Sequence, residues 1–584
     1  MDKMFRRIGA GMVLAILGIA ACAQIPTSRP VDATQTELAT TSTTTTQPAP
    51  EEPFVYRVGV LDGLSTTNFW AFQGEQTTVW NAYILGPTKP SLYSLHPSSA
   101  AFQFELATHH AEAVEENEQW RVTIDLNPDL KWSDGQPITA GDLAFTFDIV
   151  RRFGLEGAWA ESFPAAIASV TADTPTRAII EFTERPTLAV WPHSIGLAPI
   201  MPAHVWDEAI GDLTSASLLY SLDATRDVGG GPLALESVSE TMIVSVANPG
   251  YTPAPAPDRV EYLVYTDEAN AIEAMNQGAI DTMLSPRGLN VDHLGLIDPD
   301  QDITVEENPA NGVRYIGFNL DREPMSEQAF RTALALLLQR EIHTFIGDSN
   351  ILWYDPVAAA AIAAPYSADL EQRLASALDG LRAAGYTWDT DPTLNDGALI
   401  AGTGLRIGGV EPQTLTILTP GDAWDPARPL YAAEVARALE VLGFRALPVE
   451  TDFDTVVDLA FTTGEDGTRQ YDMYLLGWTL GNPSLPGFHS VFFAADGVMN
   501  NTGYDSPRFA EELARYEGSY NTDEARRALW AMEAILSEDL PYLLLYASSI
   551  TEGYRSDRVT YRHVDVLGGI QGRLGGIADV RPAG

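Results

Sequence analysis

Residues that could do chemistry are few in this 584-residue chain. Cys22 is the single cysteine, and no GxSxG, HExxH or GxxxxGK[ST] motif supplies a serine nucleophile, a zinc site or a phosphate loop. His109 and His110, with Glu112 and Glu115 close behind, have the donor types of a metal site. A solvated acidic stretch is the alternative, and it is the one we expect. We therefore predict a binding protein without catalytic residues, metal or cofactor.

The stretch with binding chemistry is 471–490, YDMYLLGWTLGNPSLPGFHS. The apolar run at 473–476 predicts a buried strand, which ends at Gly477 and Trp478 before a dense cluster of turn residues. A strand that delivers a tryptophan into an irregular loop is one way in which a rigid scaffold presents a binding surface. The alternative is a core strand followed by an ordinary surface turn.

A second pair of aromatic residues ends a polar loop near the start of the folded region. Residues 55–60 predict the first strand, and the loop at 63–70 then closes with Phe69 and Trp70. These two rings could cover a ligand, or they could fill the edge of a core.

The composition limits the classes of protein to which this chain can belong. The chain is 45% hydrophobic and 9% aromatic, which is typical of a folded protein, and its length predicts two or three domains. The formal net charge of -44 would repel both nucleic acid and anionic lipid headgroups, so we exclude them as direct partners.

The N-terminus has the features of an export signal. A basic start with Lys3, Arg6 and Arg7 precedes an apolar segment at 9–21, which is shorter than the roughly 20 residues that span a bilayer. The sequence IAAC that ends at Cys22 resembles the lipobox of bacterial lipoproteins, in which the cysteine is acylated. A plain secretory signal is the alternative. Residues 23–53 are rich in Thr, Ser and Pro and predict an extended tether.

Helical patterns indicate where the cores lie. Residues 127–150 predict a strand, a turn at 133–135 and a helix with capping-box spacing at 139–142, whose residues Leu143, Phe147 and Val150 share one face. Two further stripes predict core-facing helices, at Phe330, Ala333, Leu334, Leu337 and Leu338 and at Leu529, Met532, Ile535 and Leu536. The mixture of strands and helices predicts an α/β or α+β architecture.

The string LKWSDGQPITAGD at 130–142 resembles the signature of the family 5 extracellular solute-binding proteins of ABC importers, the relatives of the dipeptide, oligopeptide and nickel receptors. Further matches follow in the order of that family, at 228–232, 248–251, 273–281, 315–319, 330–334, 381–386, 472–478, 502–504 and 539–542. The resemblance covers nearly everything after the tether.

The resemblance implies an α/β, periplasmic-binding-protein-like fold of the cluster C type, with two lobes, a hinge and an additional third domain. The expected limits are 1–22 for the lipoprotein signal peptide, 23–53 for the tether, 54–90 and 225–305 for lobe I, 91–224 for the extra domain of lobe I, 306–548 for lobe II, and 549–584 for the return to lobe I and a tail.

The resemblance also implies a function. The protein would be a lipoprotein receptor on the outer face of the cytoplasmic membrane, in contact with lipid only through Cys22. It would capture a short peptide or other small molecule between its lobes, close by hinge rotation and deliver the ligand to an ABC permease as a monomer. A secreted hydrolase or metal-dependent enzyme on the same scaffold is the alternative, which a catalytic geometry in the cleft would favour.

The expected ligand contacts come from both aromatic stretches: Phe69, Trp70, Trp478, Thr479, Leu480, Gly481, Asn482 and Phe488. Peptide-binding members of the family carry an Asp after the Gly-Trp strand that pairs with the α-ammonium group, and the matching position here is Gly481. Either another acid, with Asp62 or Glu75 as candidates, takes that role, or the ligand has no free amine. A blocked or cyclic peptide, a glycoside or another neutral amphiphile would then fit, and a nickel chelate is disfavoured.

Overall fold

The structure is a computed structural model, described here for residues 52–285, 288–338, 343–345, 353–421, 427–464, 467–480, 484–562, 569–570, 577 and 580–583. The first strand, at 55–60, and the helices that contain the two predicted core-facing stripes, at 328–338 and 522–539, form where the hydrophobic patterns predict them. Within these residues, no helix is both long and apolar enough to cross a lipid bilayer. The tether, Cys22, Gly481 and Asn482 lie outside the described residues.

Strands and short or long helices alternate along the chain. The strands are β1 (Val55–Val60), β2 (Tyr93–Leu95), β3 (Phe102–Phe104), β4 (Val114–Glu116), β5 (Gln119–Asp125), β6 (Ile167–Thr174), β7 (Arg177–Phe182), β8 (Leu233–Val238), β9 (Met242–Ala247), β10 (Arg259–Val264), β11 (Thr282–Met283), β12 (Ile303–Phe318), β13 (Tyr386–Thr387), β14 (Thr393–Asn395), β15 (Ala398–Ile400), β16 (Arg406–Ile407), β17 (Leu415–Pro420), β18 (Ala446–Thr451), β19 (Met473–Thr479), β20 (Tyr542–Arg555), β21 (Val559–Thr560) and β22 (Arg581–Pro582). The α-helices are α1 (Phe69–Gln73), α2 (Val79–Leu85), α3 (Ala140–Phe153), α4 (Ala158–Ser162), α5 (Ala203–Ile210), α6 (Ala216–Tyr220), α7 (Glu268–Asn276), α8 (Gln328–Leu338), α9 (Pro356–Ala363), α10 (Leu370–Ala383), α11 (Ala427–Val441), α12 (Phe453–Phe461), α13 (Phe488–Phe493), α14 (Pro507–Glu517) and α15 (Thr522–Asp539).

One ten-stranded sheet runs through the molecule in the order β18-β17-β19-β12-β20-β11-β1-β10-β9-β8. We call the half with β1 and β8–β11 lobe I, and the half with β17–β19 lobe II. Lobe I also includes the extra domain described below. The two long antiparallel strands β12 and β20 belong to both halves of the sheet, with Ile303 opposite Arg555 at one end and Gly317 opposite Tyr542 at the other. Their register shifts between Pro309 and Val313, where the chain passes from one lobe to the other. The predicted two-lobed α/β fold is confirmed.

The extra domain is a four-stranded antiparallel sheet, β4-β5-β7-β6, covered by α3. The predicted capping box at the start of α3 is confirmed, since the Thr139 backbone N–H donates to Asp142 Oδ2 over 2.8 Å. Leu143, Phe147 and Val150 are buried on the predicted face. Because α1 also packs into this core, the extra domain draws on chain that precedes its expected limit at residue 91.

Lobe II buries two apolar clusters, one on each face of its half of the sheet. The predicted stripe of α8 lies in the first cluster, with Phe330, Ala333 and Leu334 buried, and that of α15 lies in the second. The C-terminal segment returns to the core of lobe I through Val559 and Val580. Since β12 and β20 run past residues 306 and 548, the exact domain limits stay predictions.

Candidate ligand-binding site

The predicted strand at 473–476 is confirmed and continues to Thr479 as β19. It pairs antiparallel with β12, where Trp478 lies opposite Val313, and parallel with β17, so it is an interior strand of lobe II. Gly477 lies opposite Arg314, and a Cβ at Gly477 would approach Arg314 Cδ to 2.5 Å and the Val313 backbone oxygen to 2.8 Å. Glycine is therefore required at this position by the close approach of β12.

Trp478 lies at the end of β19 and belongs to a cluster of aromatic side chains. Its ring stacks on Phe492 with centroids 4.6 Å apart and meets the edge of Phe461 at 5.7 Å. The side chain is only 4% exposed. Its indole N–H forms no well-aligned hydrogen bond with the described residues. Trp478 is thus held by packing rather than by a polar partner.

Beneath Trp478 lies a network of buried tyrosines centred on Asn501. The Asn501 amide donates to the Tyr474 hydroxyl over 2.6 Å, and its oxygen accepts from Tyr542 over 2.9 Å. The Tyr542 ring stacks on Tyr315 with centroids 4.0 Å apart. Burial raises the pKa of all three phenols, so they act as neutral hydrogen-bonding groups. This network fixes the strands that carry the aromatic cluster.

Gly317 makes room for this network. It lies opposite Tyr474 in the pairing of β12 with β19, and a Cβ at Gly317 would lie 2.3 Å from Tyr474 Cζ. The Tyr474 ring can therefore cross the neighbouring strand only where that strand has no side chain. The sequence analysis did not identify this network, although the glycine within the otherwise bulky strand segment at 315–319 was a signal for it.

Helix α13 continues the site after the loop. Phe488 stacks on the ring of His489 with centroids 4.1 Å apart and contacts Phe345 at 4.9 Å. The His489 Nε2 atom lies 2.7 Å from the Glu533 carboxylate, and both side chains are buried. Leu480, just before the loop, is buried in the same cluster. This buried pair connects α13 to α15, because a carboxyl group inside a core requires a polar partner.

The loop after β19 contacts the extra domain directly. Ser484 Oγ lies 2.7 Å from Nδ1 of His193, a residue far away in the sequence. Nearby, the Leu188 backbone N–H donates to the Ser519 carbonyl over 2.9 Å. The two lobes therefore touch in this structure, and the loop that follows Trp478 lies at their interface.

Phe69 and Trp70 lie in a different place from Trp478. Both are buried in the core of the extra domain, where the Trp70 ring lies 4.9 Å from Trp159, whose indole N–H donates to the Trp70 carbonyl. The Asn68 side chain caps α1 and holds both rings inward. The structure therefore favours the core alternative for these two residues, and ligand contact by either ring stays a prediction.

The remaining expected contacts are only partly described. The backbone of Thr479 pairs with Gly312 at the end of β19. Gly481 and Asn482 lie outside the described residues, so their roles stay predictions. The two alternative acids, Asp62 and Glu75, are exposed in the loops on either side of α1.

No group of three or more His, Cys, Asp or Glu side chains in the described part of the chain is arranged to hold a metal ion. His109, one of the two adjacent histidines, has its Nδ1 atom 3.2 Å from the Thr108 hydroxyl. A cavity of about 550 Å³ lies between lobe I and the extra domain, lined by Tyr83, Tyr93 and Tyr251 among others. Among the described residues of β19 and of the loop after it, none lines that cavity.

The comparisons with known proteins now bear on this geometry. The family described as bacterial extracellular solute-binding proteins, family 5, matches residues 103–500, which is more than half of the chain. This chain belongs to that family.

Curated relatives of this solute-binding protein are distant. The binding protein BMEII0691 of Brucella melitensis is 26% identical over 306 residues, which cover 49% of this chain and 47% of that protein. DdpA of Escherichia coli (strain K12), described as a probable D,D-dipeptide-binding periplasmic protein, is 27% identical over 234 residues, 38% of this chain and 41% of its own. The chain therefore matches about half the length of these relatives or less.

Solved structures share the fold over almost the whole chain. The periplasmic EDTA-binding protein EppA has a TM-score of 0.67 at 18% identity, covering 91% of this chain and 97% of its own. The oligopeptide-binding protein AppA of Bacillus subtilis, solved with a nonapeptide, has a TM-score of 0.57 at 16% identity, covering 91% and 100%. At these identities the likeness establishes the fold of this solute-binding protein, which is extracytoplasmic by family.

Proposed function

We propose that this protein is the lipid-anchored receptor of an ABC importer, which captures a peptide-like or other small amphiphilic solute between its lobes. The observation that carries the proposal is the bond between His193 and Ser484, which puts the loop after Trp478 at the lobe interface. A ligand held there would contact both lobes at once, as the capture mechanism requires.

Closure follows from the shared strands. The register shift between Pro309 and Val313 is the point at which β12 and β20 can bend without losing the pairing in either lobe. A ligand that binds the closed form better shifts the population toward it, by as much as its affinities for the two forms differ. The receptor performs no chemistry in this scheme, and its permease supplies the work.

The ligand class rests on the aromatic cluster and on charge. Trp478, Phe492 and Phe488 would offer an apolar wall to a ligand with a hydrophobic part. No acid occurs between Leu480 and Pro486, so a free α-ammonium group would lack a partner in this loop. We therefore favour a peptide-like solute whose amine is blocked, cyclised or absent. The printed descriptions of relatives as dipeptide- and oligopeptide-binding support the peptide-like part.

Anchoring and partners complete the proposal. Acylation of Cys22 would attach the receptor to the outer face of the cytoplasmic membrane, with residues 23–53 as the tether. The strongly acidic surface would then keep the folded part away from anionic headgroups. The permease would receive the closed, liganded monomer.

Native mass spectrometry of the purified full chain tests the proposal. We expect a co-purified small molecule that the Trp478→Ala variant no longer retains. The matched control is Trp388→Ala, which removes a half-buried tryptophan of lobe II that packs on the opposite face of the sheet. Retention by Trp478→Ala, or equal loss in both variants, would refute this location of the site, and a captured peptide with a free amine would refute the preferred ligand class.

A further inference from the structure

The extra domain reaches lobe II through residues 185–193, a loop that follows β7. We propose that this segment, the latch, holds the lobes together in the absence of ligand and thereby sets the ligand affinity of the cleft. The inference rests on the proposed function, because a latch matters only if the lobes open and close around a solute. Three separate contacts carry it, and none of them involves a residue of the proposed aromatic wall.

The first contact is made by Leu188. Its backbone N–H donates to the Ser519 carbonyl over 2.9 Å, and Ser519 is buried at the turn between α14 and α15. The Leu188 side chain packs against the same lobe II cluster that contains Trp478. Opening the lobes would expose this side chain to water and leave both backbone groups to find solvent partners.

The second contact is made by Arg185. Its guanidinium carbon lies 4.1 Å from the ring centroid of Tyr520 in lobe II and 5.5 Å from that of Trp120 in the extra domain. The Tyr520 ring is 43% exposed, so the stack lies at the solvent edge of the interface. The Arg185 guanidinium lies between one ring of the extra domain and one ring of lobe II. It connects the two, because each ring attracts the cation through its π face.

The third contact joins the latch to the loop after β19. His193 meets Ser484 over 2.7 Å, and the Tyr516 hydroxyl donates to the Pro486 carbonyl in the same loop over 2.7 Å. Tyr516 lies at the end of α14, just before Ser519, so the loop and the turn that the latch contacts form one packed unit. The latch therefore contacts the part of lobe II that contains the proposed site.

A latch of this kind changes affinity without touching the ligand. If part of the ligand-free population is already closed, the apparent affinity rises with that fraction. Weakening the latch should therefore lower the closed fraction and the ligand affinity together, while the fold of each lobe is kept.

The distance between the lobes in ligand-free protein tests the latch. Spin labels at Val114→Cys in the extra domain and Val498→Cys in lobe II, both exposed positions, would report it by double electron–electron resonance. A Cys22→Ser background removes the single native thiol. The matched control for Arg185→Gln is Arg152→Gln, which removes an arginine that stacks at 4.9 Å on Phe153 of its own helix, with the same change in charge.

We expect a short-distance population in the parent protein. Arg185→Gln should shift the ratio of closed to open forms by about twofold to fivefold toward open, Arg185→Gln/Leu188→Ala should shift it further, and Arg152→Gln should leave it unchanged. An open parent protein, unchanged distances in the double variant, or an equal shift in Arg152→Gln would each overturn the latch. The distances are measured after the co-purified solute has been removed by unfolding, dialysis and refolding, so these outcomes are separate from ligand capture, which the Trp478→Ala experiment tests.

Discussion

Trp70 and Trp478 are 0% and 4% exposed, and the indole N–H of neither donates a well-aligned hydrogen bond. Their surroundings differ. Trp70 is enclosed by rings of its own domain, with Trp159 at 4.9 Å and Trp206 at 6.3 Å. Trp478 ends a strand whose continuing loop reaches the other lobe at His193.

Burial alone therefore does not distinguish Trp70, a core residue, from Trp478, for which we propose a ligand contact. The two tryptophans differ in the course of the chain that follows each of them. After Trp70 the chain stays within helix α1 and its core, whereas after Trp478 it enters the lobe interface. The binding role proposed for Trp478 depends on this position beside the lobe interface, and Trp70 has no such neighbour among the described contacts of its ring.

The largest effect is expected from Trp70→Ala. Removing a fully buried tryptophan leaves a cavity in the extra domain, so the free energy of unfolding should fall by about 3–5 kcal/mol. Urea denaturation followed by circular dichroism measures this loss. The folded fraction should bind the co-purified solute as well as the parent protein does. Weaker binding at unchanged stability would instead put Trp70 in the ligand site and remove the contrast with Trp478.

Gly477→Ala should come next. Its new Cβ would meet the buried Arg314 side chain and the backbone oxygen of Val313, and relief of that overlap should cost about 1–3 kcal/mol. Gly63→Ala is the matched control on the other side of the comparison, because open space surrounds Gly63 in the loop before Phe69. That control should stay within about 0.5 kcal/mol of the parent. Equal losses in the two variants would mean that the strand before Trp478 is no more constrained than the loop.

Trp478→Phe should cost less stability, about 1–2 kcal/mol, because a phenyl ring can keep the stack on Phe492. The solute recovered from the parent protein should nevertheless bind about tenfold more weakly, a difference of about 1.4 kcal/mol. Isothermal titration calorimetry provides the affinity. Unchanged affinity together with lost stability would make Trp478 a core residue like Trp70.

The smallest effect concerns acid pH at the lobe contact. Burial lowers the pKa of His193 to about 4, whereas a histidine exposed by opening would titrate near its ordinary value of about 6.5. The open form therefore binds a proton more readily, and the closed form loses stability as pH falls from about 6.5 toward 4. At pH 6 the ratio of closed to open forms should drop by up to about fourfold. The interlobe distance at several pH values measures it, and a His193→Gln variant should show no such slope.

Much of the fold could be predicted from the sequence because periodicity reveals the buried face of a helix. Leu143 and Phe147 in α3, and Phe330 and Leu334 in α8, are buried as their spacing requires. The strand before Trp478 was equally predictable, since an apolar run bounded by glycine has few other structures available.

The site was less predictable, for two physical reasons. An aromatic residue beside a polar loop gives no information about which distant rings surround it, and Trp70 meets Trp159 and Trp206 only after folding. The contact of His193 with Ser484 joins residues separated by 291 positions, and neither residue belongs to a periodic pattern. Asn501 likewise gains its role only from Tyr474 and Tyr542, which lie on two strands distant from it in the sequence.

The strands β12 and β20 have a consequence for how the protein denatures. Each of these strands has residues in both halves of the sheet. If one half unfolds, strands of the other half lose hydrogen-bonded neighbours. Loss of lobe II would leave a bare strand edge in lobe I, ready to pair with another molecule. We therefore expect the two lobes to unfold as one cooperative unit, unlike domains joined by a simple linker. A destabilising change beside Trp478 should consequently also destabilise lobe I, which contains β1, the first strand of the described chain.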